Sequence, residues 1–62
     1  MPYFYIITVV FPDNETLTFE GQLRTLAGPI PVAQEKLEKR IKRFESFKEH
    51  GLIKDFSIDY ES

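Results

Sequence analysis

Charged residues in the second half of the chain are spaced so that a helix would separate them by sign. At about 100° per residue, one flank of an apolar stripe gathers four basic residues: Lys36, Lys39, Arg40 and Arg43. Phe47 falls on the same flank, and the opposite flank holds Glu35, Glu38, Glu45 and Glu49, with Lys42 among them. A basic flank with an aromatic ring could bind phosphate and stack on a base of a nucleic acid. Alternatively, Phe47 widens the buried stripe while the long basic side chains cover its edge.

Acidic residues recur on the last predicted strand and indicate a second hypothesis. Asp55, Asp59 and Glu61 share one strand face, with Glu20 across the sheet. Residues on the same face of a strand lie about 6.6 Å apart, which is close to the spacing of phosphates. The pattern is that of an acidic, phosphate-mimicking inhibitor of a nucleic-acid enzyme, of the type that phages and mobile elements carry. Alternatively, it is a solvated strand face that discourages aggregation through the sheet edge.

Two residues raise the question of catalysis. Removal of Met1 would leave Pro2 as an N-terminal secondary amine, and in this the chain resembles small tautomerases of similar length, which use such a proline as general base. In those enzymes a helix follows the first strand, whereas here turn residues follow it, and their basic partner residues are not recognisable.

His50 stands beside Gly51, where it is suited to cap a helix. Because no catalytic triad or nucleotide fingerprint occurs, we expect no enzyme, no catalytic or metal-binding residue, no cofactor and no small-molecule substrate.

The amino-acid composition further narrows the classes of function and of binding site that the chain can have. The chain has 62 residues, no cysteine and one histidine, which excludes disulfides and thiolate metal sites. A net charge of −2 does not indicate nucleic-acid binding, because domains that bind nucleic acids are usually strongly basic. The longest apolar run, 3–11, is about half as long as a membrane helix, and no Lys or Arg precedes it, unlike in a signal peptide. We expect one compact cytoplasmic domain over residues 1–62, without membrane contact.

The first half of the chain predicts a hairpin. The run 3–11 is aromatic and β-branched, which favours a strand, and both of its faces are apolar. Residues 12–15 are turn-forming, with Asn14 suited to the left-handed conformation that closes a short hairpin. Residues 16–20 alternate and predict a second strand with one solvated face. Gly21 is expected to end or bulge that strand.

The second half predicts a helix and a third strand. The segment 22–30 is not assigned, although Leu23 and Leu26 could extend the sheet or pack under the domain. A helix is expected from about Val32 to His50, with Pro31 in its first turn, Gly51 as a left-handed C-cap and favourable Glu35–Lys39 and Glu38–Lys42 pairs. Its apolar stripe comprises Ala33, Leu37, Ile41 and Phe44. Residues 52–60 alternate and predict a strand with Phe56, Ile58 and Tyr60 facing inward.

These elements predict an α+β fold of order β-β-α-β. The first strand is apolar on both faces and should lie at the centre of a three-stranded antiparallel sheet of order 2-1-3, with the helix on one face. Leu17, Phe19, Phe56 and Ile58 are expected to meet the helix. The element order resembles the opening of β-grasp folds, such as ubiquitin and the immunoglobulin-binding domains of streptococcal protein G. This resemblance implies a fold and no function.

One helix can cover one side of the sheet, so the other apolar row of the central strand should remain open. We expect that open row to be Tyr3, Tyr5, Ile7, Val9 and Phe11. Large apolar patches on small proteins usually mark binding surfaces. The leading hypothesis is therefore a non-enzymatic interaction module that homodimerises, or binds another protein, through this row. Nucleic-acid binding through the basic helix residues and Phe47, and acidic mimicry, are the alternatives.

Overall fold

A computed structural model describes residues 2–62 and confirms the predicted α+β fold. Its elements are β1 (Phe4–Val10), β2 (Thr16–Gln22), β3 (Arg24–Thr25), β4 (Gly28–Pro29), α1 (Ala33–Glu49) and β5 (Asp55–Glu61). β1 lies between β2 and β5 and is antiparallel to both, which is the predicted 2-1-3 order. The helix packs on one face of this sheet, and no helix among residues 2–62 is long and apolar enough to cross a membrane.

The hairpin between β1 and β2 closes one residue earlier than the sequence interpretation assumed. The backbone N–H of Phe11 donates to the carbonyl of Glu15 at 2.8 Å, and that of Asn14 donates to the carbonyl of Phe11 at 2.9 Å. Asn14 has a φ of 70°, as predicted for the residue that closes the turn. The loop therefore has three residues, 12–14, and Glu15 already pairs with Phe11 across the hairpin. This short loop fixes the register of the whole sheet.

The register overturns the prediction of which row of β1 is open. Val9 pairs with Leu17 and Phe56, and Ile7 pairs with Phe19 and Ile58, so these residues share the helix-facing side. Tyr5, Ile7 and Val9 are buried in the core, with 6%, 0% and 1% of their surface exposed. The expectation that Tyr3, Tyr5, Ile7, Val9 and Phe11 form an open interface is therefore wrong. A shift of one residue in strand pairing exchanges the two faces, and Glu15, which was expected in the turn, instead pairs with Phe11.

β2 does not end at Gly21, and the chain beyond it forms a second hairpin. The pairing with β1 continues without a bulge from Thr16 to Gln22. A Cβ at Gly21 would overlap the ring of Tyr5, so glycine is needed here for close approach rather than for a bulge. β3 and β4 then pair with each other, and Leu23 is buried in the same core as the helix, with Ile30 packed against it. The unassigned segment therefore adds to the covered face and leaves the other face open.

The helix carries the predicted apolar stripe. Leu37 and Phe44 are buried with Ala33, and Ile41 packs against the same core. The helix starts later than predicted, because Pro31 and Val32 form a turn closed by Ala33 N–H and the carbonyl of Ile30 at 3.2 Å. Pro31 therefore precedes the first helical turn. At the other end, His50 is the C-cap and Gly51 has the expected positive φ of 75°.

An aromatic cluster joins the helix to both edge strands. The ring of Phe44 lies 5.6 Å from that of Phe19 on β2 and 5.8 Å from that of Phe56 on β5, measured between centroids. Such tilted contacts add to the burial of apolar area. Phe44 therefore positions the helix across the width of the sheet. One side of the helix lies towards β2 and the other lies towards β5.

Candidate interaction surfaces

The sheet face opposite the helix carries an apolar strip along β1, which we call the outer strip: Phe4, Ile6, Thr8 and Val10. Phe4 is 42% exposed, and the other three side chains are partly exposed. Sequence reasoning missed this row, although the turn contained the signal. Pairing Phe11 with Glu15 at once assigns the even-numbered residues of β1 to the face away from Leu17 and Phe19.

Carboxylates flank the outer strip on both sides. Ile6 lies between Glu20 and Asp59, and Phe4 lies between Gln22 and Glu61. The positions paired with the strip hold no lysine or arginine: Thr16, Thr18, Glu20 and Gln22 on β2, and Asp55, Ser57, Asp59 and Glu61 on β5. The outer face therefore combines an apolar centre with acidic borders around its two largest apolar side chains.

Asp55 differs from the other carboxylates of β5. Its Oδ1 accepts a hydrogen bond from Lys48 Nζ at 3.0 Å and another from the backbone N–H of Phe56 at 2.9 Å. The bond from Lys48, followed by the backbone bond and the lysine charge, lowers the pKa of Asp55. Of the predicted acidic row, Asp59, Glu61 and Glu20 remain without a cationic partner among residues 2–62.

The structure brings the four predicted basic residues together as one surface, which we call the basic flank: Lys36, Lys39, Arg40 and Arg43. They line a shallow hollow of about 200 Å³. The guanidinium carbon of Arg40 lies 5.6 Å from the ring centroid of Phe19 on β2, a cation–π distance. Lys36 lines a second hollow together with Gly21 and Gln22. The basic flank therefore lies above β2.

Phe47 does not stand free beside these cations. Its ring packs edge-on against Phe44 at 6.2 Å and lies half-buried against the core. The alternative interpretation, in which Phe47 widens the apolar stripe, is confirmed. The nucleic-acid hypothesis keeps its four cations, but within residues 2–62 the basic flank offers no free ring for stacking, because Arg40 lies over Phe19.

The opposite side of the helix lies above β5. Gln34 lines a hollow with Tyr60, and Lys48 reaches Asp55, both on β5. Helical spacing places three carboxylates on this side, and we call them the acidic flank: Glu38, Glu45 and Glu49. Of the two predicted helical ion pairs, Glu35–Lys39 is formed at 3.4 Å, whereas Glu38–Lys42 is not among the ion pairs of residues 2–62.

Both edge strands present unpaired backbone groups. Hydrogen bonds from Phe11 to Glu15 and from Leu23 to Tyr3 bracket β2, and bonds in an antiparallel pair alternate along the strand. The N–H and C=O groups of Thr16, Thr18 and Glu20 therefore point away from β1. The same alternation on β5, where the Val10 carbonyl accepts from Lys54 N–H at 2.7 Å, points those of Phe56, Ile58 and Tyr60 outward.

The two residues considered for catalysis, Pro2 and His50, lie near opposite ends of the helix. Pro2 lines a hollow of about 300 Å³ with Leu23, Gln34 and Tyr60. His50 Nδ1 lies 2.8 Å from the carbonyl oxygen of Ser46, so the histidine caps the helix as predicted.

Comparison with known proteins finds no similar protein: no family model, no curated protein and no solved structure matches the chain significantly.

Proposed function

We propose that the chain is a non-enzymatic protein-binding module whose binding surface is the outer strip. The observation that supports this is the apolar centre of an otherwise polar sheet face that the helix leaves uncovered. Phe4, Ile6 and Val10 all retain exposure there. Exposed apolar patches bordered by polar residues usually mark protein interaction sites.

The charge around the strip favours a partner with basic borders. Glu20, Asp59 and Glu61 flank the apolar side chains, and no cation stands at the paired positions. Two copies stacked through this face would bring their carboxylates together, which opposes pairing. Between the two partner classes expected from the sequence, a different protein is therefore favoured over a second copy for this surface. We also propose a cytoplasmic location, which the cysteine-free composition supports.

The test is affinity capture from the host with three immobilised baits. Wild-type chain and Glu45→Gln, a control on the helix, should retain the same protein. Ile6→Ser combined with Phe4→Ser should lose at least about nine-tenths of it, since hot-spot side chains near the centre of an interface dominate affinity. The retained protein, once purified, should bind wild type more weakly as salt rises.

Two outcomes would contradict the proposal. Retention of the same proteins by all three baits would exclude the outer strip as the binding surface. Self-association that is abolished by Ile6→Ser would instead make a second copy its partner. Acidic mimicry remains a separate prediction, tested by whether Glu20→Gln with Asp59→Asn relieves inhibition of a nucleic-acid enzyme while Ile6→Ser does not.

A further inference from the structure

We propose that copies of the chain also assemble head to tail, with β5 of one copy adding to the free β2 edge of the next. The contact joins two different surfaces, so it repeats and forms an open chain of subunits rather than a closed pair. It uses the sheet edges and the helix flanks, and it is therefore independent of the outer strip.

The two edge strands carry carboxylates but otherwise lack the features that normally protect a sheet edge. Soluble proteins protect edges with charged side chains, especially lysine, and with proline, bulges or very short strands. β2 and β5 are seven residues long each, and neither contains lysine or proline. Both pair one-to-one with β1 throughout, so neither has a bulge. Each leaves outward-pointing backbone donors and acceptors open along its edge, except that the Phe56 N–H of β5 is bonded to Asp55 Oδ1.

The helix flanks make the two edges electrically complementary. The basic flank lies above β2. The acidic flank lies above β5, where helical spacing also places Lys42 and where Lys48 is paired with Asp55, so that the glutamates still outnumber the lysines. β2 and β5 run in the same direction, because both are antiparallel to β1. Joining β5 of one copy to β2 of the next therefore keeps both helices on one side of a continuous sheet, with opposite flanks facing each other.

Distance permits this contact. Neighbouring copies would be displaced by three strands, about 14 Å at the usual strand spacing, which long Lys, Arg and Glu side chains can bridge. The symmetric alternatives, β2 with β2 or β5 with β5, would instead bring like flanks together. Head-to-tail pairing is the edge contact that sets opposite charges against each other.

The outer-face residues favour one register. Without a shift, Glu20 would lie beside Asp59 of the neighbouring copy. A shift of two residues keeps every side chain on its face and sets Glu20 beside the neighbour's Ser57 and Gln22 beside the neighbour's Asp59. This register removes the carboxylate repulsion and keeps the β2 edge paired over its central residues.

Sedimentation of the purified chain tests the contact directly. The average mass should rise above 7.3 kDa with concentration and fall again in about 0.5 M salt, where charges are screened. Thr18→Pro should abolish the rise, because Thr18 N–H points outward and proline removes it without loss of an internal bond. Thr18→Ala is the matched control, since it keeps the N–H and should assemble as wild type does.

A mixing experiment distinguishes head-to-tail assembly from any symmetric pair. Thr18→Pro blocks the β2 edge and leaves β5 free, whereas Glu38→Lys with Glu45→Lys reverses the acidic flank and leaves the β2 edge free. Each variant alone should sediment as a monomer, with unchanged circular dichroism. Their equimolar mixture should give a dimer of twice the monomer mass and nothing larger, because one contact is intact and the other is blocked.

Four results would overturn the proposal. A monomer at every concentration, a dimer that persists in Thr18→Pro, or a mixture that stays monomeric would each do so. Assembly that requires added nucleic acid would assign the basic flank to that ligand instead. Ile6→Ser should leave assembly unchanged, so failure here is separable from failure of the outer strip as a binding surface.

Discussion

The two faces of β1 have similar composition and opposite surroundings. Tyr5, Ile7 and Val9 are almost completely buried beneath the helix, whereas Phe4 on the other face is 42% exposed. Hydrophobicity therefore did not decide which row became the core. The partners across the strands did, because Leu17, Phe19, Phe56 and Ile58 must share the face of the residues with which they pair.

The largest expected difference between the faces is in stability. Ile7→Ala removes a completely buried side chain and should lower the free energy of unfolding by about 2–5 kcal/mol. A domain of this size has a total stability of only about 3–9 kcal/mol, so this variant should lose a large share of its stability. Ile6→Ala, the same substitution on the outer strip, should cost about 1 kcal/mol or less, since its side chain is already partly hydrated. Urea unfolding followed by circular dichroism measures both.

If Ile7→Ala yields no folded protein, Ile7→Val gives a graded measurement, with an expected loss of about 0.5–1.5 kcal/mol. Ile6→Val should be close to neutral. Equal losses at positions 6 and 7 would mean that the outer strip is as well buried in solution as the core, and the distinction between the two faces would fail.

Crowding on the covered face gives the second prediction. A Cβ at Gly21 would overlap Cε1, Cζ and Oη of Tyr5, and Tyr5, which is only 6% exposed, cannot swing into water without leaving the core. Gly21→Ala should therefore cost about 1–3 kcal/mol. Gln22→Ala, one residue further on the open side, should change stability by less than about 0.5 kcal/mol.

A double-mutant cycle identifies the cause of that loss. In a Tyr5→Val background the Gly21→Ala substitution should cost much less, because the colliding ring is gone. Additive losses would show that Gly21 is needed for a reason other than the approach of Tyr5.

Much of the fold could be predicted from residue patterns because those patterns are local. The apolar run of β1 indicates a central strand, and the spacing of Ala33, Leu37, Ile41 and Phe44 indicates the helix and its buried side. The open row of β1 could not be predicted by pattern alone, since its two faces are equally apolar. It depended on whether Glu15 belonged to the turn or to β2, a difference of one residue.

The hairpin of β3 and β4 was not predicted because its strands are too short to show alternation. Thr25 stabilises it instead, since Thr25 Oγ1 accepts from Ala27 N–H at 3.1 Å and lies 3.4 Å from the carbonyl of Gly28. The basic flank was predicted from helical angles and is formed. The position of that flank above β2 depends on how the helix packs across the sheet, through Phe44 between Phe19 and Phe56, which no local pattern contains.

The turn that leads the helix onto the covered face supplies the third prediction. Val32 has a φ of 69°, and left-handed backbone is strained for a β-branched residue. It is also the N-cap, without a side-chain hydrogen bond. Val32→Asn should raise stability by about 1 kcal/mol, because asparagine adopts this left-handed conformation with less strain than a β-branched residue.

Val32→Gly tests the same cause, since glycine adopts positive φ without strain but loses more backbone entropy on folding. Val32→Ala is the control, because alanine still disfavours positive φ. Thermal unfolding should rank the variants Asn, Gly, Ala from most to least stable. A loss of stability in both Asn and Gly would show that packing of the exposed Val32 side chain outweighs backbone strain.

The smallest expected effect tests whether Asp55 belongs to the open face or to the helix side. By register it lies beside Val10 with the outer residues, yet its carboxylate bonds Lys48 at 3.0 Å, and this contact lowers its pKa below the ordinary value of 3.8. A lowered folded-state pKa means that the ionised form stabilises the fold. The contribution is therefore complete above the unfolded pKa and is lost as the pH falls below 3.8 through the folded pKa.

Titration followed by NMR should accordingly give Asp55 a pKa below 3.8, and Lys48→Met should raise it. Asp55→Asn should make stability fall less steeply at acidic pH than it does in wild type. High salt should reduce this difference, because the Lys48 and Asp55 side chains are both more than half exposed. Asp59→Asn, four residues further along the same face and without an ion-pair partner among residues 2–62, is the matched control. If the stability of Asp55→Asn and that of wild type fall identically as the pH becomes acidic, the Asp55 carboxylate belongs to the open face with the other carboxylates. The acidic row available to a partner would then extend along the whole of β5.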